Sequence, residues 1–237
     1  MEDQLSNIEQ YNNAGALLGL DGEDLMGAIR RIKDPAKRVQ TFNKLTSAPP
    51  ASHGSRAEME KMFGELPAHI KEGLKKGELR LADTIVYSIK PVTSKTIKLF
   101  ETQDDKQIGL RNISNAKLPK NQVLLVSGII LLAGVSADTT PDKVMATNFI
   151  GLEGFPALAS GETNLKSNKK QIMPETSNNA FKTAGLHRVR QGYYKLSNPR
   201  LILDDVLIEL TVELGTMEGI AANTQLFVGL EGTITTP

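Results

Sequence analysis

Residues 199–236 read PRLILDDVLIELTVELGTMEGIAANTQLFVGLEGTITT, and their alternation decides the fold class. From Val206 the even positions are apolar: Val206, Ile208, Leu210, Val212 and Leu214, with Glu209, Thr211 and Glu213 between them. A period of two puts these sets on opposite faces of a strand, one toward a core and one toward water. A second run follows in one register, Leu226, Val228, Leu230 and Ile234. Gly215, Gly219 and Asn223 separate the runs. The two are therefore expected to pair as an antiparallel ribbon with a long loop. Two strands cannot cover themselves, so a sheet or sandwich must surround them.

Upstream, the same period returns in short pieces. DTIVYSIKPV (83–92) and SKTIKLFETQ (94–103) read as strands, and KQIGLRNIS (106–114) as a weaker third. The most apolar run, Val123–Val135, is 13 residues broken by Ser127 and Gly128. A bilayer-spanning helix needs about 20 residues, so this run reads as a buried strand or strand pair. VMATNFIGL (144–152) fits strand or helix, and TNLKSNKKQIM (163–173) and GYYKLSN (192–198) are further strands. About eight to ten short strands with irregular loops predict a mainly β, antiparallel jelly-roll or β-sandwich domain over residues 81–237.

Residues 1–80 carry a helical signature instead. Asp21 can cap a helix from Gly22, with Glu23 and Asp24 early and Arg30, Arg31 and Lys33 late, as a helix dipole favours. Asp34-Pro35 starts a second helix anchored by Val39 and Phe42. Thr46–Ser55 is a break, and Ser55 with Glu58 matches a capping box. Met59, Met62, Phe63 and Leu66 follow at helical spacing, then Ile70 and Leu74 with Gly77 as a stop. These helices are short and thinly apolar, so they need covering by the β-domain or by a neighbouring subunit. They form a helical N-terminal arm or subdomain.

Composition bounds the rest. The 237 residues are 40% hydrophobic and 23% charged, with net charge +1. No global field draws nucleic acid or a membrane. Cysteine is absent, which excludes disulfides, thiolate metal sites and a cysteine nucleophile. The opening MEDQLSNIEQ has no signal-peptide core. His53, His69 and His187 lack metal-ligand spacing. Asp104-Asp105 reads as a hairpin turn and Asp204-Asp205 as a strand break. No phosphate loop or nucleophile elbow occurs. The expectation is a protein that is not an enzyme and takes no cofactor or metal. A β-sandwich hydrolase would have to draw on His187, Asp204 and Asp205.

The segment 166–200 holds Lys166, Lys169, Lys170, Lys182, Arg188, Arg190, Lys195 and Arg200 against the single acid Glu175, with Tyr193 and Tyr194 beside them. Basic residues interleaved with aromatics can hold phosphates and stack bases. Lys166, Lys169, Lys170, Arg188, Arg190, Tyr193, Tyr194 and Lys195 are the candidate nucleic-acid-binding residues of that alternative. The other reading is a solvated face that meets acids on a neighbouring subunit.

Three stretches together carry a resemblance: IGLRNISNAKLPKNQVLLVSGIILLAG, GYYKLSNPRLILDDVLIELTVELG and NTQLFVGLEGTITTP. They resemble the jelly-roll capsid proteins of small icosahedral bacteriophages, including flavobacterial ones with an internal membrane. The resemblance spans about residues 83–237. Some members of that group carry two jelly rolls per chain, whereas one β-domain fits here. The resemblance implies a self-assembling virion protein, with copies of itself as partners. Other virion proteins, a packaged genome or an internal membrane would be further partners.

Overall fold

The computed structural model describes residues 32–47, 55–185 and 189–237, without the side chains of 42–47 and 55–56. The helix expected from Gly22, the Phe42 anchor, the Ser55 cap, His53, His187 and Arg188 lie outside the described residues. The chain divides into two compact units, Met1–Ala82 with Thr235–Pro237, and Asp83–Ile234.

In the first unit, helix α1 (Pro35–Ser47) begins where the Asp34-Pro35 pair directs. The Asp34 carboxylate accepts the Ala36 amide at 2.9 Å, satisfying one of the orphan donors of the first turn. Thr46 and Ser47 extend this helix, so the expected break starts two residues later than the sequence indicates. Helix α2 (Ser55–Lys61) tightens into a 3₁₀ turn at Met62–Glu65. Helix α3 (Ala68–Lys76) then stops at Gly77, whose φ of 76° is the left-handed C-cap. Met59, Leu66, Ile70 and Leu74 are buried within the single chain. Leu79 lies over Gly73, where a Cβ would come within 2.7 Å of its side chain. No helix among the described residues is long and apolar enough to cross a membrane.

Eight strands follow among the described residues: β1 (Arg80–Pro91), β2 (Thr96–Lys98), β3 (Leu124–Val135), β4 (Glu162–Ser167), β5 (Lys170–Ser177), β6 (Tyr193–Ile202), β7 (Ile208–Glu213) and β8 (Thr224–Thr236). They form two antiparallel four-stranded sheets in a sandwich. One sheet has the order β1-β8-β3-β6 and the other β2-β7-β4-β5. The pairs β1·β8, β2·β7, β3·β6 and β4·β5 are the rungs of one ribbon rolled across two sheets, which is the jelly-roll order. Pro91, Pro174 and Pro199 all fall on the edge strands β1, β5 and β6, where a missing N–H breaks no ladder.

The final two strands do not pair with each other. β7 sits between β2 and β4, whereas β8 sits between β1 and β3 in the other sheet. Alternation identifies a strand's faces but not its hydrogen-bonding partners, and the segment 214–223 crosses from sheet to sheet. KQIGLRNIS forms no strand either. Gly109, at φ 87°, turns the chain back so that Gln107 and Arg111 bond each other.

The core lies between the sheets. Ile129, Leu131, Ala133, Leu226, Val228 and Leu230 face inward from one, and Ile97, Leu165, Ile208, Leu210 and Val212 from the other, all buried. The outward faces differ. That of the β2-β7-β4-β5 sheet is polar, with Thr96, Lys98, Glu162, Asn164, Lys166, Glu209, Thr211 and Glu213. That of the other sheet is apolar over its centre and carries Tyr193, Lys195 and Glu231 toward the β6 edge. The register sets Ile130 opposite Gly229 and Leu132 opposite Phe227, and Ile85 lies over Gly229.

The β3·β8 pairing leaves no room at Gly232, where a Cβ would meet the Leu125 carbonyl oxygen at 1.8 Å. Gly232→Ala is expected to lower unfolding stability by about 2–3 kcal/mol in urea titration. Gly215→Ala, with nothing within 4 Å, should stay within about 0.5 kcal/mol of the parent.

Candidate functional site

The apolar outward face of the β1-β8-β3-β6 sheet is covered at one end by two loops. Ile89, Leu110 and Val144 form a small second core there, with Phe149 and Phe227 packed against it. Tyr87 stacks on Phe227 at 5.9 Å, and Phe149 tilts against the same ring at 5.8 Å. Leu110 comes from the β2–β3 loop. Val144 comes from the short helix α4 (Pro141–Met145).

The β2–β3 loop is tied to β1 like a ninth strand. Asn112 accepts the Tyr87 amide at 2.9 Å and donates to the Ile85 carbonyl at 2.8 Å. The Ile89 amide donates to the Leu110 carbonyl at 2.9 Å. These bonds occupy the outer edge of β1, which would otherwise expose unpaired backbone groups. A charge cluster anchors the loop. Lys90 Nζ lies 2.6 Å from Glu101 and 2.8 Å from Asp104, and Arg111 lies 3.4 Å from Asp104. Lys90 and Asp104 side chains are only 14% and 13% exposed. Asp104 is therefore an ion-pairing residue, not the simple turn residue its sequence neighbourhood indicates, because the fold brings Lys90 and Arg111 to it from elsewhere in the chain.

This anchored loop presents its tip to water. Ile108 is 86% exposed, and Gly109 behind it occupies the position that a type II turn reserves for positive φ. The Met145 sulfur sits 2.5 Å from where a Cβ on Gly109 would project, so the two apolar side chains flank one turn. Met145 is 40% exposed. Ile150 bonds Ala133 on β3, and Val135 ends that strand, both partly exposed. Pattern reading missed Ile108 because it took the segment for a strand. The available signal was a bulky apolar residue directly before a turn glycine.

The candidate basic residues divide between the two sheets. Lys166 lies on β4 opposite Gln171 and Glu209. Lys169 follows Asn168 in a two-residue turn, both at positive φ, and Lys170 opens β5. Arg190, Tyr193, Tyr194 and Lys195 belong to the other sheet's β6 edge. Arg190 is paired with Glu231. The two tyrosines face opposite ways, as period two requires. Tyr194 packs on buried Phe181 at 5.5 Å, while Tyr193 lies over Gly128. They do not form one stacking platform.

Asp204 and Asp205 lie in the turn between β6 and β7, where Asp204 accepts the Asn121 amide at 2.9 Å and Asp205 meets Lys117 at 3.0 Å. Among the described residues, no group of three or more His, Cys, Asp or Glu is placed to hold a metal ion. No protein-family model matches this chain, and no curated protein matches it.

Burial holds the Tyr193 phenol above its ordinary range, Glu231 adds to the rise, and Arg190 and Ser127 oppose it. The neutral form is thus favoured in the fold, and this contribution is lost as pH rises above about 10. Phenolate absorbance should show a late-titrating tyrosine that Tyr193→Phe removes. Asp104→Ala should cost about 1–3 kcal/mol in urea unfolding, since it removes one of the two carboxylates on the mostly buried Lys90 and the carboxylate that pairs with Arg111. Asp105→Ala, at an exposed position, should change stability by less than about 0.5 kcal/mol.

Proposed function

We propose that this protein is a structural, self-assembling subunit, a virion capsid protein that builds an icosahedral shell from copies of itself. The observation that carries the reading is the exposed apolar rim: Ile108, held out on a loop tied down by ion pairs, with Met145 of α4 beside it. A jelly roll hosts capsid, lectin and cupin proteins alike, so the fold does not choose among them. A protein that functions alone gains nothing from ordering an isoleucine in water. A subunit gains the burial on assembly, about 25 cal/mol for each Å² of apolar surface removed. The resemblance of residues 83–237 to bacteriophage jelly-roll capsid proteins supports the same reading.

A second reading, a nucleic-acid-binding β module, draws on Lys195 and Arg200, both exposed on edge strand β6. Binding to single-stranded DNA would then fall steeply between low and moderate salt, as counterion release requires.

Sedimentation velocity and negative-stain electron microscopy of the purified chain test the first reading. Closed particles or concentration-dependent oligomers are expected. A strict monomer at every concentration and salt, with salt-sensitive DNA binding, would favour the second.

A further inference from the structure

We infer that the Ile108–Met145 rim is a two-fold contact between copies of this chain, and that a second copy of the same rim is its occupant. This rests on the self-assembly reading and names the surface and partner within it.

Three observations lead there. The apolar centre is prominent, with Ile108 86% and Met145 40% exposed. It stands on a supported base: the Gly109 amide donates to the Tyr87 hydroxyl at 3.3 Å, and Lys90, Glu101, Asp104 and Arg111 fix the loop below it. A preordered tip loses little freedom on docking, which preserves binding energy.

The third observation chooses the occupant. Exposed charges of both signs stand beside the two apolar residues along the chain: Asp105 and Lys106 just before Ile108, Asp138 ahead of α4, and Asp142 and Lys143 just before Met145 on it. Three acids against two lysines leave the rim slightly acidic. Such a rim gives no attraction to a nucleic acid or an anionic lipid surface, both of which select for clustered cations. It does suit itself. An isologous contact places one patch against its own image, so a patch bearing an apolar centre and both charges can satisfy itself about the axis. The acids of one copy then meet the lysines of the other, and Ile108 meets its own counterpart near the axis.

The absence of cysteine makes the test clean. Full-length Ile108→Cys, oxidised in solution, is expected to run as a cross-linked dimer and nothing larger, because each thiol finds one partner. Thr96→Cys, on the polar face of the other sheet, serves as comparison. Ile108→Asp should retain the parental circular dichroism and melting temperature, since the side chain is already in water, yet lose most of its assembly by sedimentation velocity. Charge reversal gives an independent readout. The doubly acidic variant Lys106→Asp/Lys143→Asp and the doubly basic variant Asp105→Lys/Asp142→Lys should each assemble at least tenfold more weakly than the parent. Mixed together, they should recover it.

If the parent assembles and Ile108→Asp assembles equally well, the contact lies elsewhere and the shell reading survives without it. If Ile108→Cys cross-links no more than Thr96→Cys, the two-fold contact is overturned. A parent that stays monomeric removes both readings. A monomer that floats with phosphatidylglycerol vesicles, and ceases to float as Ile108→Asp, assigns the tip to a lipid surface and overturns the proposal.

Discussion

The pairing of β3 with β8 is the constraint on which the body depends. It runs unbroken in partnership from Leu124 against Ile234 to Val135 against Thr224, with one register shift at Ser127. Nearly every residue of β3 is buried, so both of its faces demand cover. The inner face obtains it from Ile208, Leu210 and Val212 across the sandwich. The outer face has no second sheet. It is closed in part by the β2–β3 loop and α4, which contribute Leu110 and Val144. An apolar strand at the centre of one sheet thus obliges distant loops to fold over it. Those loops carry the exposed rim.

Holding such a loop in place needs more than apolar contact. The β2–β3 connection has little regular structure of its own, so its backbone groups must find partners one at a time. The Asn112 amide donates to the Tyr87 carbonyl, and its side chain imitates a strand residue by accepting from the Tyr87 amide and donating to the Ile85 carbonyl of β1. Leu110 supplies another through Ile89. The charges of Glu101 and Asp104 then converge on Lys90. Exposed ion pairs contribute little to stability, but these are largely screened from water, where losing one partner is costly. Stability and presentation are therefore coupled: the residues that close the edge of β1 also aim Ile108 outward.

The functional reading follows from the unequal outer faces of the sandwich. One sheet shows water a row of Thr, Lys and Glu side chains. The other is apolar at its centre, where Ile130, Leu132 and Phe227 lie, and polar toward β6. The basic segment 166–200 reads as a continuous patch along the chain. In space Lys166, Lys169 and Lys170 lie on one sheet and Arg190, Tyr193 and Lys195 on the other.

The sequence by itself determined the strands whose apolar residues alternate regularly, and which of their residues face a core, but not the weakly patterned 106–114, which forms none. Alternation in Val206–Leu214 and Leu226–Ile234 suffices for that, because a pleated strand points successive side chains to opposite sides. It also determined where helices begin and end at Asp34-Pro35 and Gly77, since capping is local chemistry. Only the tertiary structure decided that β7 and β8 belong to different sheets, because hydrogen-bond partners are chosen by chain segments far apart in sequence. For the same reason Asp104 became an ion pair, whereas Tyr193 and Tyr194 part to opposite faces of one strand by the period of two alone. Ile108 became an exposed tip by that route too: its surroundings were set by residues on β1 and α4 that no local window contains.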